Sequence, residues 1–252
     1  MKYTKIIFSP TGGTKKAADL LTKNWKDAGT IDLSDTADDY TKYSFDPEDV
    51  ALIAMPSFGG LAPQTALDRL SMLKGNSARC VLVCVYGNRT YEDTLVQMQD
   101  AAEKSGFQVI AAVAAVAEHS IMRQFAAGRP DAEDSRELSE YADKIMKKLE
   151  SGNISAPALP GNRPYKKGGS LGMVPKAGSD CTECGLCAKQ CPTAAIDLRS
   201  PKSADKTKCI SCMRCVAVCP QKTRHLNGAM LAAASLALKK ACSGRKANEL
   251  FL

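Results

Sequence analysis

The sequence has little of several things, and each scarcity closes a line of reading. Two histidines and one tryptophan stand among 252 residues, and aromatics make up 6%. A basic stripe interleaved with aromatics, as single-strand binders use, is missing. Nucleic acid is therefore not an expected partner, despite a formal charge of +7. Long apolar runs are missing too. The most apolar stretch, GAMLAAASLAL at 228–238, is closed by Lys239 and Lys240. It is too short for a bilayer, so no membrane span is expected and the stretch reads as a packed helix. The opening MKYTKIIFSPTGG has too short an apolar run for a secretory signal core. Neither GxxxxGK followed by Ser or Thr nor GxGxxG is visible, so the common nucleotide and nicotinamide fingerprints are absent.

What is abundant is cysteine, with 11 in the chain. Residues 181–192 read CTECGLCAKQCP and residues 209–220 read CISCMRCVAVCP. Each cysteine of the first run has a partner 28 positions on, and Pro192 and Pro220 keep the same offset. So strict a repeat implies two copies of one local structure. Disulfides would suit a small secreted scaffold rather than the end of a long chain. Zinc would use two CxxC pairs but leaves the rest of the C-x2-C-x2-C-x3-C-P pattern unexplained. Two 4Fe–4S clusters account for all of it. The spacing lets three thiolates wrap one cube, and the fourth cysteine reaches the other cluster. The proline after it holds the chain away from helix.

Over residues 178–226 the sequence resembles the bacterial-type two-cluster ferredoxins. The resemblance implies that Cys181, Cys184, Cys187 and Cys219 hold one cluster, and Cys209, Cys212, Cys215 and Cys191 the other. The first copy continues CPTAAI, as such ferredoxins often do. The second continues CPQKTR, with Arg224 where a small apolar contact is usual.

The length exceeds one typical domain. Four segments are expected: a domain over 1–152, a Gly/Pro/Ser-rich linker over 153–178, a cluster domain over 179–226 and a helical tail over 227–252. Its prolines and Tyr165 allow the linker to lie along a domain surface. Charge divides with the domains. Residues 1–155 carry 18 Lys+Arg against 22 Asp+Glu, and the remainder carry 16 against 5. Basic side chains in the second half compensate the negative charge of clusters and thiolates. Oxygen-sensitive clusters and free thiols fit a reducing, cytoplasmic compartment.

The first half alternates apolar strands with amphipathic helices. Strands are expected at 2–8, 30–34, 50–55, 79–86 and 107–117. Helices are expected at 13–28, 64–74, 91–105 and 131–150. The strands are apolar throughout rather than alternating, the mark of a parallel sheet covered on both faces. The fold class is therefore α/β, a doubly wound five-stranded parallel sheet, with a second, small α+β domain. Trp25 is expected in the core, Cys80 and Cys84 as packing thiols, and residues 35–40 as a solvated loop. Nothing marks Cys242 as a ligand.

In such folds ligands bind beyond the C-terminal ends of the strands. After the first strand comes SPTGGTKK, with hydroxyls at Ser9, Thr11 and Thr14 and glycines at 12 and 13, leading into a helix. This is either an ordinary turn capped by Thr14 or a phosphate site of inward N–H groups at a helix N-terminus. The loop resembles the T-x-T-G-x-T phosphate loop of flavodoxins, with Ser9 in the first hydroxyl place, and residues 1–152 match them in length and strand order. That resemblance implies FMN, held by backbone and hydroxyls. It also gives roles to the other loops. Pro56, Ser57, Phe58, Gly59 and Gly60 would allow close approach and stacking. Tyr86, Gly87, Asn88, Arg89 and Tyr91 would lie along the ring, with Tyr91 over a face. His119 sits at the same edge, and His119 and Arg89 are the candidate proton donors.

Joining the halves resembles the fused flavodoxin–ferredoxin proteins of anaerobic bacteria. It implies electron transfer between clusters and FMN, as a carrier serving a redox partner protein. One alternative is an FMN reductase of a small-molecule acceptor. Another is a ferredoxin joined to a flavin-free binding or sensor domain, since no tryptophan is placed to stack on the ring.

Overall fold

The computed structural model describes residues 1–168 and 172–252. The expected linker thus includes three residues, 169–171, that lie outside the described ones. Strands β1 (Tyr3–Ile7), β2 (Gly29–Asp32), β3 (Val50–Pro56), β4 (Arg79–Tyr86) and β5 (Gln108–Val116) form a parallel sheet. Helices α1 (Gly13–Leu21), α2 (Gln64–Leu70), α3 (Thr94–Lys104) and α4 (Ala132–Glu150) connect and cover it. The order is β2-β1-β3-β4-β5, which is the flavodoxin-like winding. Every residue of β3 is buried, as its unbroken apolar sequence VALIAMP requires. Two separate apolar cores cover the faces, one around Phe8, Ile53 and Leu82, the other around Leu52, Val83 and Ile110.

The elements depart from the expected bounds for local reasons. The first helix stops at Leu21, not at 28, because the Thr22 hydroxyl bonds back to the Ala18 carbonyl and Asp27 takes a left-handed φ of 53°. Trp25 then packs in the following turn, its ring 4.8 Å from that of Tyr3. The acidic stretch at 35–40 is not wholly solvated: Tyr40 is buried and donates to the Asp32 and Asp35 carbonyls. Helix α4 begins with a reciprocal cap. Asp131 accepts from the Glu133 and Asp134 N–H groups, and Asp134 accepts from the Asp131 N–H. Cys80 and Cys84 are fully buried, and burial pushes both thiols far above their ordinary range, as inert packing thiols require.

The C-terminal module is small. Strand β6 (Lys176–Ala177) pairs antiparallel with β7 (Arg224–His225), and α5 (Leu186–Lys189) and α6 (Arg214–Ala217) follow the two cysteine runs. The sequence repeat is a backbone repeat. Left-handed φ values recur 28 residues apart at Glu183 and Ser211 (54° and 54°), Gly185 and Met213 (74° and 61°), and Ala194 and Lys222 (49° and 54°). Arg224, the odd residue of the second copy, is 3% exposed and donates to the carbonyls of Pro175 and Pro201, tying both ends of the module together.

The tail overturns two expectations. Helix α7 (Gly228–Leu238) has no buried residue, and Leu236 is 75% exposed, so this apolar run is a surface helix rather than a packed one. Beyond it the chain returns to the first domain as β8 (Glu249–Phe251), antiparallel to β5. The five parallel strands expected are all present, a sixth, antiparallel strand is added at the edge, and the tail is not simply helical. The segment before the module also lies on the first domain. Arg163 and Tyr165 bond Asp100, and Asn162 and the Lys166 N–H bond Asp93. The cysteine module is thus tethered at both ends. No helix among the described residues is long and apolar enough to cross a membrane.

Candidate functional site

A cleft of about 470 Å³ opens at the C-terminal edge of the parallel strands, where the winding reverses between the neighbouring strands β1 and β3. The turn after β1 supplies Pro10, Thr11, Gly13 and Thr14. Gly12 is not among the lining residues; it takes φ 93° at the turn into α1. Ser9 does not line the cleft: its hydroxyl accepts from the Lys15 N–H and fixes the turn from behind. Thr14 lines the cleft and does not cap α1, whose first-turn Lys15 N–H is taken by Ser9 instead. A Cβ on Gly13 would press on that of Ala117 at 3.3 Å.

The turn after β3 brings Pro56, Ser57, Phe58 and Gly59 to the cleft. Gly60 faces away, against Glu92. From the turn after β4 come Tyr86 and Gly87. A Cβ on Gly87 would lie 2.8 Å from the His119 ring, so glycine is required there. The other three residues expected from this turn point elsewhere. Asn88 is buried, and its amide donates to the Cys242 and Gly244 carbonyls of the tail. Arg89 is paired with Glu92 at 2.6 Å. Tyr91 packs edge-on against Tyr86, ring centres 5.3 Å apart. None of the three lines the cleft among the described residues, and the reason is the tail and Glu92, which claim their polar groups.

His119 does line the cleft. Its Nδ1 accepts from the N–H groups of Ile121 and Met122, both at 3.2 Å, which leaves Nε2 carrying the proton. Burial, then the charge of Arg89, pushes its pKa below the ordinary value of 6.5. With the folded value below the unfolded one, the unfolded chain binds more protons as pH falls through 6.5. His119 therefore costs stability below that pH and nothing above it. The His119 ring proton is expected to titrate by NMR with a midpoint below 6.5; a midpoint at or above 6.5 would contradict this ring geometry.

Sequence reasoning missed one wall. Gln97 of α3 and Gly168 reach the cleft, and so do Ile210 and Ser211, from inside the second cysteine run. The signal was present: the two runs read TE and IS between their first two cysteines. Arg214 secures this contact by donating to the carbonyls of Ser9 and Pro10, both at 3.3 Å. Arg69 bridges Leu33 and Pro192 from the other side.

The cysteines sort by space rather than by run. Cys181, Cys184, Cys187 and Cys219 line one small cavity. Cys191 instead lies within electrostatic reach of Cys209, Cys212 and Cys215. Burial first, with neighbouring thiols adding, pushes Cys212 up to about 12 and Cys215 up to about 11. Thiolates in such a setting need positive charge beside them.

Residues 180–223 match the 4Fe-4S dicluster domain family. The ferredoxin-like protein in nif region of Sinorhizobium fredii is 41% identical over 49 residues, 17% of this chain and 77% of that protein. The chain belongs to the 4Fe-4S dicluster ferredoxin family. A component of the ion-translocating oxidoreductase complex of Methanosarcina acetivorans is 38% identical over 65 residues, 25% of this chain and 24% of the relative, so the chain spans about a quarter of that protein. Among solved structures, a Streptococcus pneumoniae TIGR4 flavodoxin is similar with TM-score 0.40 and 20% identity, covering 58% of this chain and 99% of its own. A flavodoxin from the domain Archaea gives TM-score 0.41 and 15% identity, covering 60% and 99%. It is the strand order, not these modest scores, that makes the first domain flavodoxin-like. A flavodoxin-like fold joined to a dicluster ferredoxin is an electron-transfer architecture.

Proposed function

We propose that the protein passes electrons between FMN, held in the cleft, and two 4Fe–4S clusters in the C-terminal module, and exchanges them with a redox partner protein. One observation carries the reading. The cleft has two owners: the turn at 10–14 forms one wall, and Ile210 and Ser211 of the second cysteine run form another. FMN supplies one- and two-electron chemistry and each cluster one-electron chemistry. The residues supply the rest. The N-terminus of α1 with Thr11, Gly13 and Thr14 suits a phosphate. Gly59 and Gly87 let the backbone approach a flat ring, and Phe58 offers a stacking face. Neutral His119 offers an N–H donor. Ile210 keeps water from the side nearest the cysteines.

The module's orientation gives an order. Ser211 and Cys212 are buried, whereas Glu183 and Cys184, their matches in the first run, are exposed. The cluster of Cys209, Cys212, Cys215 and Cys191 would stand next to FMN. The cluster of Cys181, Cys184, Cys187 and Cys219 would face the partner. Transfer then needs no second chain. In the reductase alternative His119 remains the proton donor, because Arg89 is engaged by Glu92. A cytoplasmic location, where thiols are kept reduced, belongs to the same reading.

The test is an anaerobic absorption spectrum with extracted flavin and iron quantified. About eight irons and one FMN per chain are expected. Iron with no retained flavin, and no uptake of added FMN, would defeat the reading.

A further inference from the structure

We propose that Arg224 is the internal counter-charge of the cluster pair, a buried guanidinium whose charge makes the clusters easier to reduce. This rests on the reading that the eight cysteines of the repeat hold two 4Fe–4S clusters. Arg224 is 3% exposed. Its side chain donates to the Pro175 and Pro201 carbonyls, both neutral, and no carboxylate among the described residues pairs with it. A charge taken out of water is costly unless an opposite charge or a metal site compensates it. The surroundings identify the compensating charge. Arg224 lines the small cavity shared by Cys181, Cys184, Cys187 and Cys219. The one carboxylate on that cavity, Glu183, belongs to an exposed residue and pairs with Lys202 at 2.8 Å. The Pro201 carbonyl that accepts from Arg224 also accepts from the Cys187 Sγ, at 3.9 Å. The guanidinium reaches the other set as well, since its charge acts against burial on Cys209 and Cys215.

The repeat shows that the turn itself does not demand an arginine. The same place in the first copy, 28 residues earlier, is Ile196. It is 5% exposed and packs in the apolar core of the module. One copy thus buries a hydrocarbon where the other buries a cation. Four thiolates give a cluster net negative charge, and reduction adds one more electron. A fixed positive charge beside it favours the reduced form over the oxidised one. Burial keeps that charge from being screened by salt.

Two variants separate the charge from the carbonyl bonds. Arg224→Lys keeps the charge and a donor, whereas Arg224→Gln keeps a donor alone. Iron is quantified in the full-length anaerobic protein, and cluster midpoint potentials are read by EPR-monitored redox titration. The glutamine variant is expected to make one-electron reduction about tenfold less favourable, a midpoint about 59 mV lower, while the lysine variant stays near the wild type. A glutamine variant that assembles no clusters, beside a lysine variant that assembles them at wild-type potentials, would also support the role of the charge. Equal shifts in both variants, no shift in either, or loss of clusters from both would reduce Arg224 to a bridge between carbonyls and overturn the proposal. A wild type holding iron for one cluster alone would overturn the two-cluster reading and this inference together.

Discussion

Stripping iron from the anaerobic protein with a chelator is expected to unfold residues 176–226 and leave the flavodoxin-like domain standing. The module has little else to hold it. Its apolar core consists of Cys187, Cys191, Ala195 and Ile196, two of them cysteines of the repeat. Its strands are two residues long and its helices four. Fully burying one aliphatic side chain is worth about 1.5–3 kcal/mol, and ordering each residue costs about 1–2 kcal/mol of backbone entropy. The balance is unfavourable unless the metal contributes, and structural metals in small domains supply on the order of 10 kcal/mol. The first domain has two extensive cores and no cysteine of the repeat. Limited proteolysis after chelation should therefore cut within 176–226. The N-terminal fragment should stay intact and hold the tail through β8. Because the module contributes few helical or strand residues, far-UV circular dichroism should change little. A module that stays resistant to protease after complete iron loss would refute this account, and would mean that Arg224 and the two tethers suffice.

The sequence made the sheet legible because a parallel sheet covered on both faces needs unbroken apolar strands, and VALIAM and RCVLVCVY have no other simple use. It also made the repeat legible as two copies of one local structure, and backbone angles recur 28 residues apart in the fold. Three things were hidden. The run GAMLAAASLAL is apolar on every side, and such a pattern says nothing about which face, if any, is covered. The three residues of β8 are too short for a period-two signal, and their place depends on pairing with β5, a strand far earlier in the chain. Asn88 is lost from the cleft to that same tail, since a donor already bonded to it is not available to a ligand, and Arg89 is lost to Glu92. Ile210 and Ser211 are a different case. Their departure from Thr182 and Glu183 was visible in the aligned runs, and it marks the copy that faces the cleft rather than water.

Asn248→Ala should cost about 3 kcal/mol, the sum of a buried N–H left orphaned and a hydrogen bond lost from a charged group. Asn248 is 3% exposed. Its Oδ1 accepts from the Val116 N–H at 2.8 Å, and its amide donates to Asp134 at 2.9 Å and to Glu137 at 2.5 Å. Asp134 is fully buried and paired with Arg129, which also donates to the Lys246 carbonyl of the tail. Burial works to raise the Asp134 pKa, but the bonds from Arg129, the Asp131 N–H and Asn248 prevail and hold it below 3.8. A carboxylate lowered on folding gives stability that is present above the unfolded value and is lost as pH falls through the folded one. Removing Asn248 raises the folded value, so acid unfolding should begin at a higher pH than in the wild type. At neutral pH the melting transition of the first domain should fall by roughly 6–12 °C, taking about 2–4 °C per kcal/mol for this size. The tail is also one of the two tethers that press Ile210 and Ser211 against the cleft, so the variant should release FMN more readily as well. An unchanged transition would mean that β8 is held by strand pairing alone, and that the ferredoxin module can leave the cleft without disturbing the fold that carries it.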